Sequence, residues 1–354
     1  MSSDKALASD GTEGYIIFGI SSSLAATLIL ISPILYTLVA YPDTFTLSWN
    51  EGRGGFLFAM AFIAAELIGL KYSLTKTRFL LVAGMAALTI SYFIVLPYGL
   101  SDYIRNGKDV YDVSLVDSWM WMWDFIIMAT FVASSSVLLF GRKWYKIASA
   151  GAIYLLGSAL ILALDAFFPF DSLGPLQLVV PIYLQIDQGV VNFIDKSIIN
   201  LGPQMQENPT DPAVARGNLL VLNGLNGPFA LQVFWPSAGV HSIIIYTLVM
   251  LALLLKMNMP STRKLIYFAA GTLGTIAVNL VRIISLSLYA LVVTTDVQEW
   301  EAFHSVAGEV MFLPWLGVYL GVVIYIENKR SRRLQAGAPR GAPDSNQSSA
   351  SNQD

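Results

Sequence analysis

Phe234-Trp235-Pro236-Ser237-Ala238-Gly239-Val240-His241-Ser242 is where the chain changes character. A polar, proline-rich segment ends there, and an apolar run through Leu255 begins. About 18 apolar residues, rising 1.5 Å each as a helix, cover roughly the 30 Å of hydrocarbon in a bilayer. The boundary therefore reads as water on one side and membrane on the other. Ser237 stands at it, and His241 follows four residues on, within reach of the same helix face. Ser237 is either the N-cap of the helix that follows or a nucleophile at the membrane surface.

Composition extends the membrane reading to the whole chain. Of 354 residues, 55% are hydrophobic and 13% charged, with a mean hydropathy of +0.60. An ordinary soluble domain carries about twice that charge. A net charge of -3 gives no reason to expect a nucleic-acid partner. The absence of cysteine excludes disulfides, thiolate metal sites and thiol nucleophiles. The only histidines are His241 and His304, too few for a multi-histidine metal site. No metal or other cofactor is expected.

Outward from the opening stretch, eight apolar spans are expected, at about 15–40, 54–70, 79–100, 122–140, 147–168, 238–255, 265–293 and 305–326. The fold class is an all-α polytopic membrane protein with a small extracytoplasmic insertion of interfacial helix and β-hairpin. Five spans fill residues 15–168 after a polar tail, 1–14; the insertion is 169–236; three spans fill 237–326; and 327–354 is a disordered tail. Within the insertion, Leu176–Ile199 is amphipathic but interrupted by Gln185, Asp187, Gln188 and Asn192, so it lies on the interface. Residues 204–216 read as a polar loop. Residues 218–222 and 229–234, separated by an Asn/Gly-rich turn, read as strand, turn, strand. Trp119, Trp121 and Trp123 read as an aromatic belt.

Eight spans put both termini on one side. The segments on that side carry Lys5; Lys71, Lys76 and Arg78; Arg142, Lys143 and Lys146; Lys256, Arg263 and Lys264; and Lys329, Arg330, Arg332, Arg333 and Arg340. These are 15 of the 21 basic residues, so the positive-inside rule makes both termini cytoplasmic. Ser237 and His304 then face outward, and Arg282 lies in the outer half of its span.

Glu66 and Arg282 lie inside spans and ask for a reason, because a charge in hydrocarbon costs several kcal/mol unless paired. Arg282 either clamps a carboxylate or oxyanion, or pairs structurally with Glu66, Glu309 or an outer acid. Glu66 is a functional candidate by default, or it faces a polar neighbour. A serine nucleophile needs a base. His304, oriented by Glu299 or Glu301, and His241 are the two choices, and each has the plainer reading of a satisfied interfacial side chain.

Ser237-Ala238-Gly239, then Asn279-Leu280-Val281-Arg282-Ile283, then His304 with Gly308 follow one another in the order and spacing of a known pattern. Over about residues 216–312 the chain resembles the exosortase/archaeosortase family of polytopic membrane transpeptidases. The resemblance points toward an archaeal, thaumarchaeal-type branch. The family nucleophile is cysteine, and here Ser237 stands at that position. The resemblance implies Ser237 as nucleophile, His304 as general base and Arg282 as clamp, with Gly239, His241, Asn279, Glu299 and Glu301 in supporting roles. It also implies the partners: C-terminal tails of surface proteins, built of a short motif, a transmembrane helix and a basic cluster, and a lipid acceptor for the new C-terminus. The expected location is the plasma membrane, with the active site on the extracytoplasmic face. Non-catalytic binding of such tails is the alternative; a transporter is disfavoured by the lack of an internal repeat.

Overall fold

The computed structural model describes residues 16–17, 20–45, 52–68, 70, 72–170, 172, 177–197 and 211–336. The expected tail 1–14, residues 337–354 of the other tail, residues 46–51 of the loop after the first span, and residues 204–210 of the expected polar loop lie outside them.

Eleven helices and a small sheet follow in chain order among these residues. They are α1 Ser22–Ala40, α2 Gly55–Leu67, α3 Lys76–Val95, α4 Leu100–Val110, α5 Val116–Phe140, α6 Trp144–Ile147, α7 Ala150–Phe167 and α8 Val180–Ser197. Strands β1 Ala213–Arg216, β2 Leu219–Gly224 and β3 Gly227–Gln232 come next, then α9 His241–Lys256, α10 Ser261–Val292 and α11 Val297–Ala336. Among the described residues, seven helical stretches are long and apolar enough to cross a membrane. The protein is thus an all-α polytopic membrane protein in its main body. The expected span at 54–70 corresponds to α2, whose 13 residues make it shorter than the others.

Several boundaries differ from expectation. The first helix begins at Ser22 rather than residue 15, because the Ser21 hydroxyl accepts from Leu24 N–H and caps it, after a short antiparallel pairing of Ile16–Ile17 with Ile20–Ser21. Residues 101–121 are not a loop: they hold α4 and the first turn of α5. Residues 213–216, expected in a loop, form a strand. The last helix continues from the expected loop at 294–304 to Ala336, so residues 327–336 belong to it rather than to a tail; Arg263 and Glu327 pair across α10 and α11 at 3.2 Å.

The main core is the bundle of α1, α2, α3, α5, α7 and α9, filled by side chains such as Leu30, Phe56, Phe93, Phe125, Met128 and Leu155. Of the three tryptophans expected in a belt, Trp119 faces inward and Trp121 and Trp123 are half-buried. Trp119 is buried, donates from Nε1 to Ile104 O (2.8 Å) and packs edge-on against Trp123, so it fastens α4 onto α5. Trp121 lies over the Arg53 guanidinium at 5.0 Å. Arg53 and Asp124, both buried, pair at 2.7 Å, and Tyr92 Oη donates to the same carboxylate at 2.9 Å. Glu66 has the plain role: its carboxylate accepts from Ala150 N–H (2.8 Å) at the N-terminus of α7 and pairs with Lys256.

A second, smaller core decides where the candidate site lies. Val180, Leu184 and Val191 of α8, Ala213, Leu220, Leu222 and Leu231 of the sheet, and Ile283, Ala290 and Leu291 of α10 pack together. The polar residues that break the apolar run of α8 are what join it to its neighbours. Gln188 Oε1 accepts from Ala215 N–H (2.9 Å), Asn192 bonds both backbone groups of Ala213 (3.1 Å each), and Asp187 Oδ2 accepts from Ser287 (2.8 Å). The hairpin turn caps α10: Leu225 N–H donates to Leu291 O (2.9 Å) and Asn226 Nδ2 to Val292 O (3.1 Å), satisfying carbonyls a helix end leaves open. Gly224 is required there, since a Cβ on it would come within 2.3 Å of Leu291 O.

Candidate active site

The chain between β3 and α9 is held at several points. Gln177 accepts from Trp235 N–H (2.8 Å) and donates to Val233 O (3.2 Å), and the fully buried Trp235 indole donates to Phe168 O at 3.3 Å. Residues Pro236–Val240 form a π-type turn interrupted at Gly239, whose φ is +91°. Asn279 Nδ2 donates to Ala238 O (2.6 Å) from α10, and its side chain occupies the space where a Cβ on residue 239 would sit, 2.2 Å from Cγ. Gly239 is therefore needed twice, for its backbone angle and for the approach of Asn279.

This turn settles two readings of the opening stretch. Ser237 is not a helix N-cap: no side chain caps α9, and Ser237 is the second residue of the π turn. Its hydroxyl makes no hydrogen bond among the described residues. His241 is not its partner either. The left-handed residue between them breaks the i,i+4 geometry, and His241 meets Asp165 of α7, Nε2 to Oδ1 at 3.3 Å, with Trp235 packed edge-on against its ring.

Ser237 does share a cleft with His304. The cleft has a volume of about 340 Å³; Leu220, Leu231, Ile283 and Leu286 form its apolar wall, and Gln232, Val233, Ser237, Trp300, Glu301, His304 and Ser305 complete it. His304 lies two turns inside α11, not at its mouth. Trp300 stacks on its ring (5.1 Å, 16°), and the indole is itself fixed by a bond to Leu286 O (3.2 Å). Neither acid orients the imidazole. Glu299 is exposed, with its backbone N–H on Asp296 Oδ1, and Glu301 is an exposed residue of the cleft rim.

The partner of His304 is Arg282, Nη2 to Nε2 at 3.0 Å. A guanidinium only donates, so His304 Nε2 accepts and the neutral ring carries its proton on Nδ1. Arg282 has no salt bridge to a carboxylate among the described residues, and its Nε is buried without a hydrogen-bond partner. Gly308 makes room for it: a Cβ there would lie 3.2 Å from the guanidinium carbon. Asp187, one of the polar interruptions of the amphipathic segment, has a separate environment. It is fully buried one side of α10 away, with Oδ1 unpartnered, and burial pushes its carboxyl up to about 6 against the lowering bond from Ser287.

The site thus brings together Ser237, Gly239, Asn279, Arg282 and His304, keeps Glu301 at the rim, and leaves out His241 and Glu299. Trp300 was missed by sequence reading; its one signal is the i,i+4 spacing to His304 on a helix. No family model matches the chain, and no curated protein or solved structure matches it.

Proposed function

We propose that the chain is a membrane-embedded sorting transpeptidase that uses Ser237 in place of a cysteine, working at the outer face of the plasma membrane. What carries the reading is one observation: Ser237 and His304 line the same cleft, with the Arg282 guanidinium bonded to the His304 ring. The resemblance of these positions to the exosortase/archaeosortase pattern names the reaction class and the substrates, C-terminal tails of surface proteins.

The steps follow from the groups present. Ser237 Oγ attacks the scissile carbonyl carbon, and its proton passes to His304 Nε2. That lone pair is held by Arg282 in the resting site, so the guanidinium turns from the ring to the oxyanion as the ring becomes charged. The movement removes a repulsion between two cations and places a donor on the developing negative charge. The C–N bond breaks, the leaving amine takes the proton from His304, and the acyl group remains on Ser237 as an ester. An acceptor hydroxyl, on a lipid or water, gives its proton to His304 and attacks the ester carbonyl; the C–O bond to Ser237 breaks, and His304 returns the proton to Ser237 Oγ.

The test is co-expression with a tail of motif, transmembrane helix and basic cluster, followed by mass spectrometry of the product. Ser237→Ala abolishes processing; processing at the wild-type rate removes Ser237 from the mechanism. A second reading, a binder of such tails without turnover, is favoured by the resting hydrogen bonds, since His304 Nε2 faces Arg282 and Ser237 has no bonded base. An acyl-enzyme trapped on Ser237 excludes it.

A further inference from the structure

We infer that the outer edge of β3 is a docking strand, and that the peptide reaching Ser237 binds by adding a fourth strand to the sheet. The inference rests on the reading of Ser237 as the reacting atom and names how its substrate is held.

The sheet order β1-β2-β3 leaves two edges. Gln188 and Asn192 of α8 close the β1 edge through three hydrogen bonds to Ala213 and Ala215. No described residue closes the β3 edge. The register shows which backbone groups face it. Gly224 pairs with Gly227 across the two-residue turn, Leu222 with Phe229, and Leu220 with Leu231. In a hairpin of this length these are the pairs that exchange hydrogen bonds. Val233 N–H on Asn218 O, at 2.8 Å, continues the same phase. The intervening residues Pro228, Ala230 and Gln232 therefore turn their backbone groups away from β2, and all three are exposed. The N–H and C=O of Ala230 and Gln232, with Pro228 C=O, make a row of open donors and acceptors; none of them bonds a described residue. An open edge of this kind invites another strand unless something blocks it.

The edge leads to the reaction centre. Gln232 and Val233, at the end of β3, line the cleft beside Ser237 and His304. A guest strand bonded to Ala230 and Gln232 continues into that cleft. Its side chains alternate, and those on the Leu231 side meet the wall of Leu220, Leu231, Ile283 and Leu286. Backbone bonds then give affinity, and the apolar wall gives selectivity. The substrate class is an extended, unfolded segment with an apolar residue near the scissile bond.

Two serine-directed probes on the full-length protein in detergent separate this inference from the reading beneath it. One is a small alkyl fluorophosphonate, with no peptide to pair. The other is an N-acetyl tetrapeptidyl diphenyl phosphonate with leucine next to phosphorus, from which the Ser237 oxygen displaces phenoxide. Ala230→Pro removes an outward N–H and no β2–β3 hydrogen bond, as edge positions allow. It lowers the peptidyl rate about tenfold, the loss expected when an edge hydrogen bond goes and the ring obstructs the guest, while the small-probe rate holds and reports the fold. An unchanged peptidyl rate in the folded variant overturns the inference. So does a fall in oligomeric mass with no change in peptidyl rate, which assigns the edge to a second copy. Amide exchange in the wild type, with N-acetyl tetrapeptide acid at saturation, is the second measurement. It decides the matter where Ala230→Pro does not fold, or where the small probe leaves Ser237 unlabelled and so removes the reading of Ser237 alone. Protection at Ala230 and Gln232 supports the docking strand, and its absence overturns it.

Discussion

Gly239→Ala is the sharpest test of how the candidate site is held. A side chain at φ +91° is costly; left-handed and neighbouring strained angles cost about 1–3 kcal/mol for a residue other than glycine. The new Cβ would also lie 2.2–2.6 Å from three atoms of Asn279, closer than any stable contact, so the amide has to leave. Its bond to Ala238 O is then lost, and a buried carbonyl and a buried amide lose a partner, for about 1–3 kcal/mol more. The single variant is expected to lose about 2–6 kcal/mol. Asn279→Ala alone loses the bond but opens the space, at about 1–3 kcal/mol. The double variant therefore costs less than the sum, because the lost bond is counted once rather than twice and no clash remains. Unfolding in mixed micelles for all four proteins measures this, with small-fluorophosphonate labelling of Ser237 as the functional readout. A coupling within about 0.5 kcal/mol of zero refutes the argument, since distant independent sites add to that precision.

Three further outcomes follow from the same geometry. Arg282→Lys keeps the charge but loses the planar fork that meets His304; processing is expected to fall about a hundredfold with little change in unfolding midpoint, and retained processing would dismiss Arg282 as the oxyanion donor. Arg53→Ala leaves Asp124 buried without its cation and costs about 3–5 kcal/mol, whereas Arg53→Met with Asp124→Leu restores much of it, checked by unfolding of both variants. Asp187, with its folded pKa raised to about 6, binds a proton in the folded protein that the unfolded chain has released; stability therefore declines as pH rises from about 4 to 6 and stays low above, and Asp187→Asn removes up to about 3 kcal/mol of that decline in unfolding scans between pH 4 and 8.

Much of the bundle was legible because its signal is local. Long apolar runs such as Ala238–Leu255 state their own length, and no distant residue is needed to read them. The errors fall where polar residues sit inside helices. Residues 101–110 lie between two expected spans and carry Asp102, Arg105, Lys108 and Asp109 on one side of a helix, yet Ile104 and Gly107 turn its other side toward Trp119 of α5. Residues 297–304 lie between two expected spans, yet Asp296 caps them into a helix through Gln298 and Glu299 N–H. In α8 the interruptions at Gln188 and Asn192 gave no hint of the strand they bind, because that strand, Ala213–Arg216, is about 20 residues away.

The sequence by itself determined the membrane class and the need for Arg282 to have a partner, which are properties of composition and of residue chemistry that the chain carries without folding; the grouping of Ser237, Asn279, Arg282 and His304 rested on the resemblance of their order and spacing to a family pattern. Only the tertiary structure decided the partners. His241 and His304 are equal candidates as a list of residues; a single left-handed glycine turns the first toward Asp165, and the crossing of α10 with α11 brings the second to Arg282 and into the cleft of Ser237. Hydrogen bonds act over about 3 Å, so which groups meet depends on helix crossings set by packing far from the residues concerned.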